Sequence, residues 1–356
     1  MGAPAVKTNV NPFARRTEQP SGRVKDRVGS AATVLEFHLE FHSEPTKGPE
    51  PMTVMDTRPT TQLRSLALEI TGQCQNTCAS HCYAKSGPHG SHGTMTRDDW
   101  FALLDQAAGL GVAMVQYIGG EPTLHPHLPQ LIDRVLSLGM RVEVFSNLVH
   151  VRPSMWHAFN RPGVSLATSY YSNNAAEHEQ ITGGRGSYAR TKANIVEAVR
   201  RGIALRAGII HVHDGQAIEG ARAELRQLGV TGTIGVDRAR AIGNASGGLE
   251  VHNPAELCGR CGTDRVAINP DGVVTPCVMS RWLTAGDVRT QGLAEILTGP
   301  EWADRMAVIP RSVSGCVPDT CTPKEDSCQP SPGVDGCSPD DSACQPGQPA
   351  CLPKFP

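Results

Sequence analysis

The chain has 356 residues, a formal net charge of −2, twelve cysteines and 39% hydrophobic residues. That length allows one large domain plus an appendage, with a sizeable buried core. The near-neutral balance leaves no electrostatic footprint for nucleic acid, and no apolar run reaches the ~18 residues of a membrane span.

The opening MGAPAVKTNVNPFARRTEQPSG carries arginines but no apolar h-region, so no secretory signal is expected, and Gly2 lacks the downstream Ser or Thr of a myristoylation site. Without such a signal the cysteines read as metal ligands rather than disulfides, and a cytoplasmic location is expected. Residues 1–62, rich in Pro, Gly, Thr and charge, read as a flexible extension in which only residues 34–41 alternate like a short strand. His38 and His42 read as surface residues there, and Met52 and Met55 as alternative starts.

From Leu63 a strand–helix alternation begins. Residues 63–71 (LRSLALEIT) read as a strand running into a cysteine loop. A helix follows at 94–111: Thr96 caps it, Asp98 and Asp99 occupy its first turn, and Gly111 stops it. Further strands are read at 112–122, 140–149, 164–172, 203–212 and within 230–243, with helices at 125–139, 152–163, 187–202 and 217–229. Six apolar strands alternating with helices, at ~30 residues per unit, argue for a parallel sheet covered on both faces. The expected fold is α/β, a partial (β/α)6 TIM-like barrel; a flat doubly wound sheet is the alternative. Polar residues gather at the strand C-termini, at 74–82, 119–121, 146–147, 169–171, 211–214 and 237–238. Parallel barrels keep their active sites on that rim.

Cys74, Cys78 and Cys82 lie within nine residues. Three thiolates so close can hold three irons of a [4Fe–4S] cube, leaving the fourth iron open to a small chelating molecule. Structural zinc favours four ligands and C-x2-C pairs, and His81, beside Cys82, is poorly placed to complete a tetrahedron. Three is an odd number for disulfides. After the second strand come Gly119, Gly120 and Glu121, in the run GGEP. Glycine lets a backbone approach a ligand closely, and a strand end leaves carbonyls able to accept from an ammonium. The H-x-H pair in residues 211–214 reads as a substrate-facing or rim-ordering element rather than a metal site. GGRGSY, residues 183–188, reads as a turn, since its spacing fits neither a P-loop nor a dinucleotide fingerprint.

Together, the cysteine loop and GGEP resemble the radical S-adenosylmethionine (SAM) enzymes, over residues 63 to about 242. Their usual cluster loop is C-x3-C-x2-C; here it is C-x3-C-x3-C, the extra residue falling near Ala79 and Ser80. The resemblance implies that the backbone of Gly119, Gly120 and Glu121 holds the SAM amino group while SAM chelates the open iron. One-electron reduction then yields methionine and a 5′-deoxyadenosyl radical that abstracts a substrate hydrogen, chemistry that belongs to the cofactor. By position on the rim, Ser146, Asn147 and Ser169 are candidates for SAM ribose or carboxylate contacts. Arg206 is a candidate partner of the SAM carboxylate, arginine being suited to that group. Each of the four also reads as an ordinary hydrogen bond of the rim.

From Leu257 the composition changes. Cys258, Cys261 and Cys277 flank a hairpin read at 266–277, turning at Pro270, Asp271 and Gly272, and a helix begins at Gly292. Residues 316–356 then hold Cys316, Cys321, Cys328, Cys337, Cys344 and Cys351 among nine prolines and almost no large apolar side chains. Such a stretch cannot offset its ordering entropy with a hydrophobic core; it is disordered or held by covalent or metal links. Cys261, Gly272 and Cys277, spaced C-x10-G-x4-C, resemble the opening of the SPASM extension, which binds auxiliary [4Fe–4S] clusters behind many radical SAM barrels. That family continues C-x2-C-x5-C-x3-C, which this tail does not reproduce. One or two auxiliary cubes are expected. Free thiols beside a single cube, zinc on Cys258 and Cys261, and disulfides in the tail stay open.

The resemblance implies three parts: the extension 1–62, a radical SAM barrel at 63–250 and a SPASM-like cysteine-rich domain at 251–356. It implies a radical SAM oxidoreductase acting on a ribosomally made precursor peptide, by oxidation or crosslinking, with an electron donor such as flavodoxin or ferredoxin. The loop at 86–94 and the tail are expected to frame a groove for an extended chain. A radical SAM enzyme for a sugar or other small molecule, and a metal-bearing module without turnover, are the alternatives, since fold does not fix substrate.

Overall fold

Ser65–Thr71 forms β1, and all seven of its residues are buried. Successive side chains of a strand go to opposite faces. Leu66, Leu68 and Ile70 enter the main apolar core, whereas Ala67 joins Ile118 and Ala267 in a small cluster on the other face. Burial on both faces is why this strand reads as a near-continuous apolar run.

The computed structural model describes residues 63–248 and 252–311. The expectations for residues 1–62 and for the cysteines from Cys316 to Cys351 lie outside the described residues. After β1 the chain runs through α1 (Arg97–Gly109), β2 (Met114–Gly119), α2 (Leu128–Ser137), β3 (Arg141–Phe145), α3 (Pro153–Phe159) and β4 (Val164–Tyr170). It continues with α4 (Ala175–Thr182), α5 (Ser187–Arg200), β5 (Leu205–His211), α6 (Ile218–Gln227) and β6 (Ile234–Arg238). Then come β7 (Arg265–Ile268), β8 (Val273–Thr275), β9 (Gly286–Asp287), α7 (Leu293–Thr298) and α8 (Pro300–Ala307).

The strand order is β6-β5-β4-β3-β2-β1-β7-β8-β9, and every pair from β6 through to β7 is parallel. A doubly wound sheet reverses its strand order at a switch point. No reversal occurs across β1 to β6, so the sheet is a partial barrel and the flat alternative is set aside. The α1 cap forms as expected: Thr96 Oγ1 accepts from the Asp99 N–H at 3.2 Å, and Asp99 Oδ2 accepts from the Thr96 N–H at 2.8 Å.

Two features differ from the sequence reading. Helix α4 was not anticipated. Its buried face is His178, Ile181 and Thr182, which gives almost no hydrophobic periodicity; its start is fixed instead by Asn174 Oδ1, which accepts from the N–H groups of Ala176 and Glu177 at 2.9 and 3.3 Å. The hairpin at 266–277 forms as β7 and β8, but β7 also lies parallel to β1, with Ser65 opposite Arg265 and Leu68 opposite Ile268. The C-terminal region thereby extends the barrel sheet.

Candidate functional site

The chain leaves β1 at Thr71 and builds the cysteine loop on the C-terminal rim. Backbone bonds pin it from three directions. The Cys74 N–H donates to Gly87 O at 3.0 Å, and the Thr77 N–H donates to Thr182 O, at the end of α4, at 3.1 Å. Asn244 donates its N–H to Cys82 O and its Nδ2 to Cys78 O, both at 2.9 Å. Between those two cysteines the Cys82 N–H closes a turn onto Cys78 O at 3.2 Å, which accommodates the additional residue of C-x3-C-x3-C. The loop at 86–94 packs back onto this structure through Gly87 and Ser91, and so braces the cluster loop.

Cys74, Cys78 and Cys82 all line one cavity of about 450 Å³. Asn147 Nδ2 lies 3.6 Å from Cys74 Sγ, the Cys78 thiol points to Thr182 O at 3.6 Å, and the Ser86 N–H donates to Cys82 Sγ at 3.3 Å. Burial pushes the Cys74 thiol up to about 12, reinforced by the Glu121 carboxylate and by Cys82. Cys78 also rises to about 12, through burial and the proximity of Cys82 and Cys74. Thiols that resist ionising together become stable thiolates when a metal shares their charge. Among the described residues no three His, Cys, Asp or Glu side chains close on a single ion. A cube, unlike a single ion, takes its ligands at separate corners, and three soft, unbridged thiols along one cavity wall fit that demand.

Gly119 and Gly120 are required by the same loop. Gly119 has φ +131°, and a Cβ there would lie 2.3 Å from Thr71 O; at Gly120 it would lie 2.2 Å from Gln73 O. The Gly120 and Glu121 N–H groups donate to those two carbonyls, Thr71 O and Gln73 O, at 2.7 and 2.8 Å. Glycine was expected for close approach to a ligand; the structure shows close approach to the cysteine loop, and both glycines also line the cavity. Glu121 is fully buried. Its carboxylate accepts from Thr123 Oγ1 at 2.7 Å, Ser146 Oγ at 2.8 Å and the Asn147 N–H at 2.8 Å, tying the end of β2 to the end of β3. Burial still raises its pKa against these bonds.

Of the remaining rim residues, Asn147 and Ser169 line the cavity, while Ser146 is buried behind it on Glu121. Arg206 lines the cavity too, but its Nε and Nη2 both donate to Glu143 at 2.7 Å. The carboxylate found with Arg206 therefore belongs to β3, and the arginine, opposite Ala167, stands two residues below the level of Ser169. Burial would raise the Glu143 pKa, but the hydrogen bonds and charge of Arg206 hold it below the usual carboxylate range. His81 Nε2 meets Tyr171 Oη at 2.9 Å, and burial lowers its pKa to about 4, so it is a neutral partner of Tyr171. His213 lies 3.6 Å from Glu177 on α4. Gly183 and Gly186, both with positive φ, join α4 to α5 as a turn.

Cys258, Cys261 and Cys277 line the same cavity. Cys261 Sγ and Cys277 Sγ are 2.9 Å apart as free thiols. The contacts of Cys261 with Cys258 and Cys277 raise its pKa, while its bond to Cys277 lowers that of Cys277. This donor set again suits a thiophilic metal group. A half-buried ion pair joins the two regions: Arg281, four residues after Cys277, donates Nη1 to Glu69 Oε2 on β1. Neither residue was singled out from sequence, although a lone carboxylate in the run LALEIT was the available signal.

A profile of the radical SAM superfamily matches residues 68–227, and a second profile, the SPASM iron–sulfur cluster-binding domain, matches residues 258–328. The barrel carries a radical SAM domain, with a SPASM domain behind it. The SPASM match takes in Cys258, Cys261 and Cys277 and, outside the described residues, Cys316, Cys321 and Cys328. Among curated relatives, PqqA peptide cyclase of Xanthomonas campestris pv. campestris is 27% identical over 158 residues, 44% of this chain and 42% of the relative. In that match the chain thus spans less than half of the relative's length. PqqA peptide cyclase of Xanthomonas oryzae pv. oryzae is 25% identical over 296 residues, 72% of this chain and 78% of the relative. Streptococcus suis SuiB bound to its precursor peptide SuiA superposes with TM-score 0.58 at 14% identity, covering 71% of this chain and 68% of SuiB. At that identity the likeness is one of fold, and it matches the radical SAM partial barrel described here.

Proposed function

We propose that this radical SAM protein is an oxidoreductase that modifies a ribosomally made precursor peptide. One observation carries the reading: a single cavity is lined both by Cys74, Cys78 and Cys82 and by Cys258, Cys261 and Cys277. A substrate held between the two thiol sets lies within reach of a hydrogen-abstracting centre on one side and an electron acceptor on the other. The peptide cyclase names of the Xanthomonas relatives and the peptide-bound SuiB support a peptide in that space.

In this reading Cys74, Cys78 and Cys82 hold a [4Fe–4S] cube, and the backbone of Gly119, Gly120 and Glu121 with Asn147 and Ser169 positions SAM. Cys258, Cys261 and Cys277 contribute to one or two auxiliary cubes, completed from the tail cysteines. When bound, the cube and SAM supply one-electron cleavage and the abstracting radical. The chain's own contribution is orientation and exclusion of water. Glu121 fixes the Asn147 backbone, Asn244 fixes the cysteine loop, and Ile118 and Phe145 give the cavity apolar walls. The barrel is assigned to 63–250 and the auxiliary-cluster domain to 251–356. A flavodoxin or ferredoxin serves as donor, and the setting is cytoplasmic; among the described residues no helix is long and apolar enough to cross a membrane.

The test is anaerobic reconstitution with iron and sulfide, then dithionite and SAM, with and without a short peptide encoded beside the gene. Formation of 5′-deoxyadenosine and a peptide about 2 Da lighter are expected, the mass of two hydrogens. No 5′-deoxyadenosine would defeat the enzyme reading. Turnover with no mass change on any such peptide would point to a small-molecule substrate.

A further inference from the structure

The charge on the cavity wall is uneven. Arg206, Arg238, Arg240, Arg260 and Arg265 all face it. Against them stand Asp237, Glu256 and Asp264. On the rim the charges cancel locally: Arg238 pairs with Glu256 at 2.8 Å, and Arg240 pairs with Asp237 at 2.9 Å. At the N-terminal end of the strands they do not. Arg206 pairs with Glu143 at 2.7 Å, and the charge of Arg265 adds to its hold on that carboxylate. Arg265 itself pairs with no carboxylate among the described residues; its Nε reaches only Ser65 Oγ, at 3.4 Å. Arg260 approaches Asp264 no closer than 4.0 Å.

Position matters as much as charge. Arg265 opens β7 and lies opposite Ser65, the first residue of β1, whereas the cysteine loop starts beyond Thr71, its last. At ~3.3 Å per residue, the two ends are about 20 Å apart. The cavity therefore runs the depth of the barrel, from the three-cysteine loop to a cationic end. A ligand that engages both ends is extended, on the order of six residues of peptide. Arginine presents a planar fork of donors that matches a carboxylate.

We propose that Arg265, backed by the charges of Arg206 and Arg260, binds a carboxylate of the substrate peptide about six residues from the position that reacts at the rim. This rests on the peptide-modifying reading above. The carboxylate comes from an Asp or Glu side chain or from the peptide C-terminus. The site thereby selects acidic substrate segments and fixes the register of the chain in the barrel.

The test uses full-length protein reconstituted with iron and sulfide and saturated with SAM. The probes are glycine-rich heptapeptides blocked at both ends, with one central Glu, Gln or Lys, and an all-glycine heptapeptide with a free C-terminal carboxylate. Binding is read by isothermal titration calorimetry. A carboxylate probe is expected to bind about tenfold tighter than the Gln probe, the scale of one charge-assisted contact. Its advantage is expected to shrink as salt is raised. The tighter of the Glu and free-acid probes identifies the source. Arg265→Glu, at an exposed position, is expected to keep its iron content and circular dichroism while reversing the preference toward the Lys probe. Equal binding of Glu and Gln probes, or an unchanged ranking in Arg265→Glu, would overturn the proposal. Formation of 5′-deoxyadenosine is measured in parallel on the wild type. Turnover without a carboxylate preference sinks only this inference, whereas absence of turnover sinks the function beneath it.

Discussion

Glu121 accepts the backbone N–H of Asn147 at 2.8 Å, so a carboxylate at the end of β2 sets the path of the chain leaving β3. Glu121→Gln keeps one accepting oxygen and turns the other into an amide donor, which must meet the N–H of either Asn147 or Thr123. Leaving a buried donor unsatisfied costs about 1–3 kcal/mol. Urea unfolding should show that loss, and SAM affinity should fall with it. An unchanged unfolding midpoint would mean that the Asn147 bond is dispensable.

Gly119→Ala and Gly120→Ala each force a methyl to within 2.3 and 2.2 Å of the carbonyls of Thr71 and Gln73. Backbone atoms cannot swing aside as side chains do, so the cysteine loop itself must move. Overpacking and strain together are expected to lower stability by about 3 kcal/mol or more. Iron content after reconstitution should fall in parallel with the thermal midpoint.

Cys78→Ala and Cys261→Ala should separate the two thiol sets. The first is expected to remove the SAM-induced change in the EPR spectrum together with one cube's share of iron. The second should lower iron while leaving that spectral change in place. Loss of the SAM-induced change in Cys261→Ala would show that the two sets are not independent.

Glu224 on α6 accepts from Tyr170 Oη at 2.6 Å, Tyr188 Oη at 2.7 Å and Lys192 Nζ at 2.6 Å. Burial opposes its ionisation, but these bonds outweigh burial and hold its pKa below the ordinary 4.5. A carboxylate with a depressed folded-state pKa stabilises fully above its unfolded pKa and loses that contribution as pH falls through the folded value. Wild type should exceed Glu224→Gln by about 1 kcal/mol at neutral pH, a figure kept small because Lys192 is 37% exposed. The gap should close only below pH 4.5. Chemical unfolding of both proteins from pH 7 to 3 checks the sign.

Arg281→Met leaves Glu69, only 2% exposed, without its guanidinium partner. Removing one member of a buried pair costs about 3–5 kcal/mol, and the partial exposure of Arg281 places the expectation at about 2–3. Glu69→Gln in the same chain should recover part of it, and a double-mutant cycle by thermal unfolding measures how much.

The parallel sheet and the rim were legible because β/α alternation and strand-end polarity are local patterns. The three cysteines and GGEP were legible because spacing carries their chemistry. Helix α4 escaped because Asn174 and a buried face built on His178 and Thr182 leave no hydrophobic stripe. Arg206 was placed on the right strand, yet its partner Glu143 lies two strands away, and nothing in either segment records that pairing. The same holds for Glu69 and Arg281, 212 residues apart. Spacing names residues able to do chemistry; only the folded sheet says which of them meet.

The pairing of β7 with β1 has a practical consequence for anyone re-engineering this chain. A protein cut before Arg265 would leave the first barrel strand with a bare row of peptide groups on one side, a template for aggregation. The C-terminal region is therefore no interchangeable cassette. Chimeras that trade it for another cluster-bearing module must bring a strand in matching register.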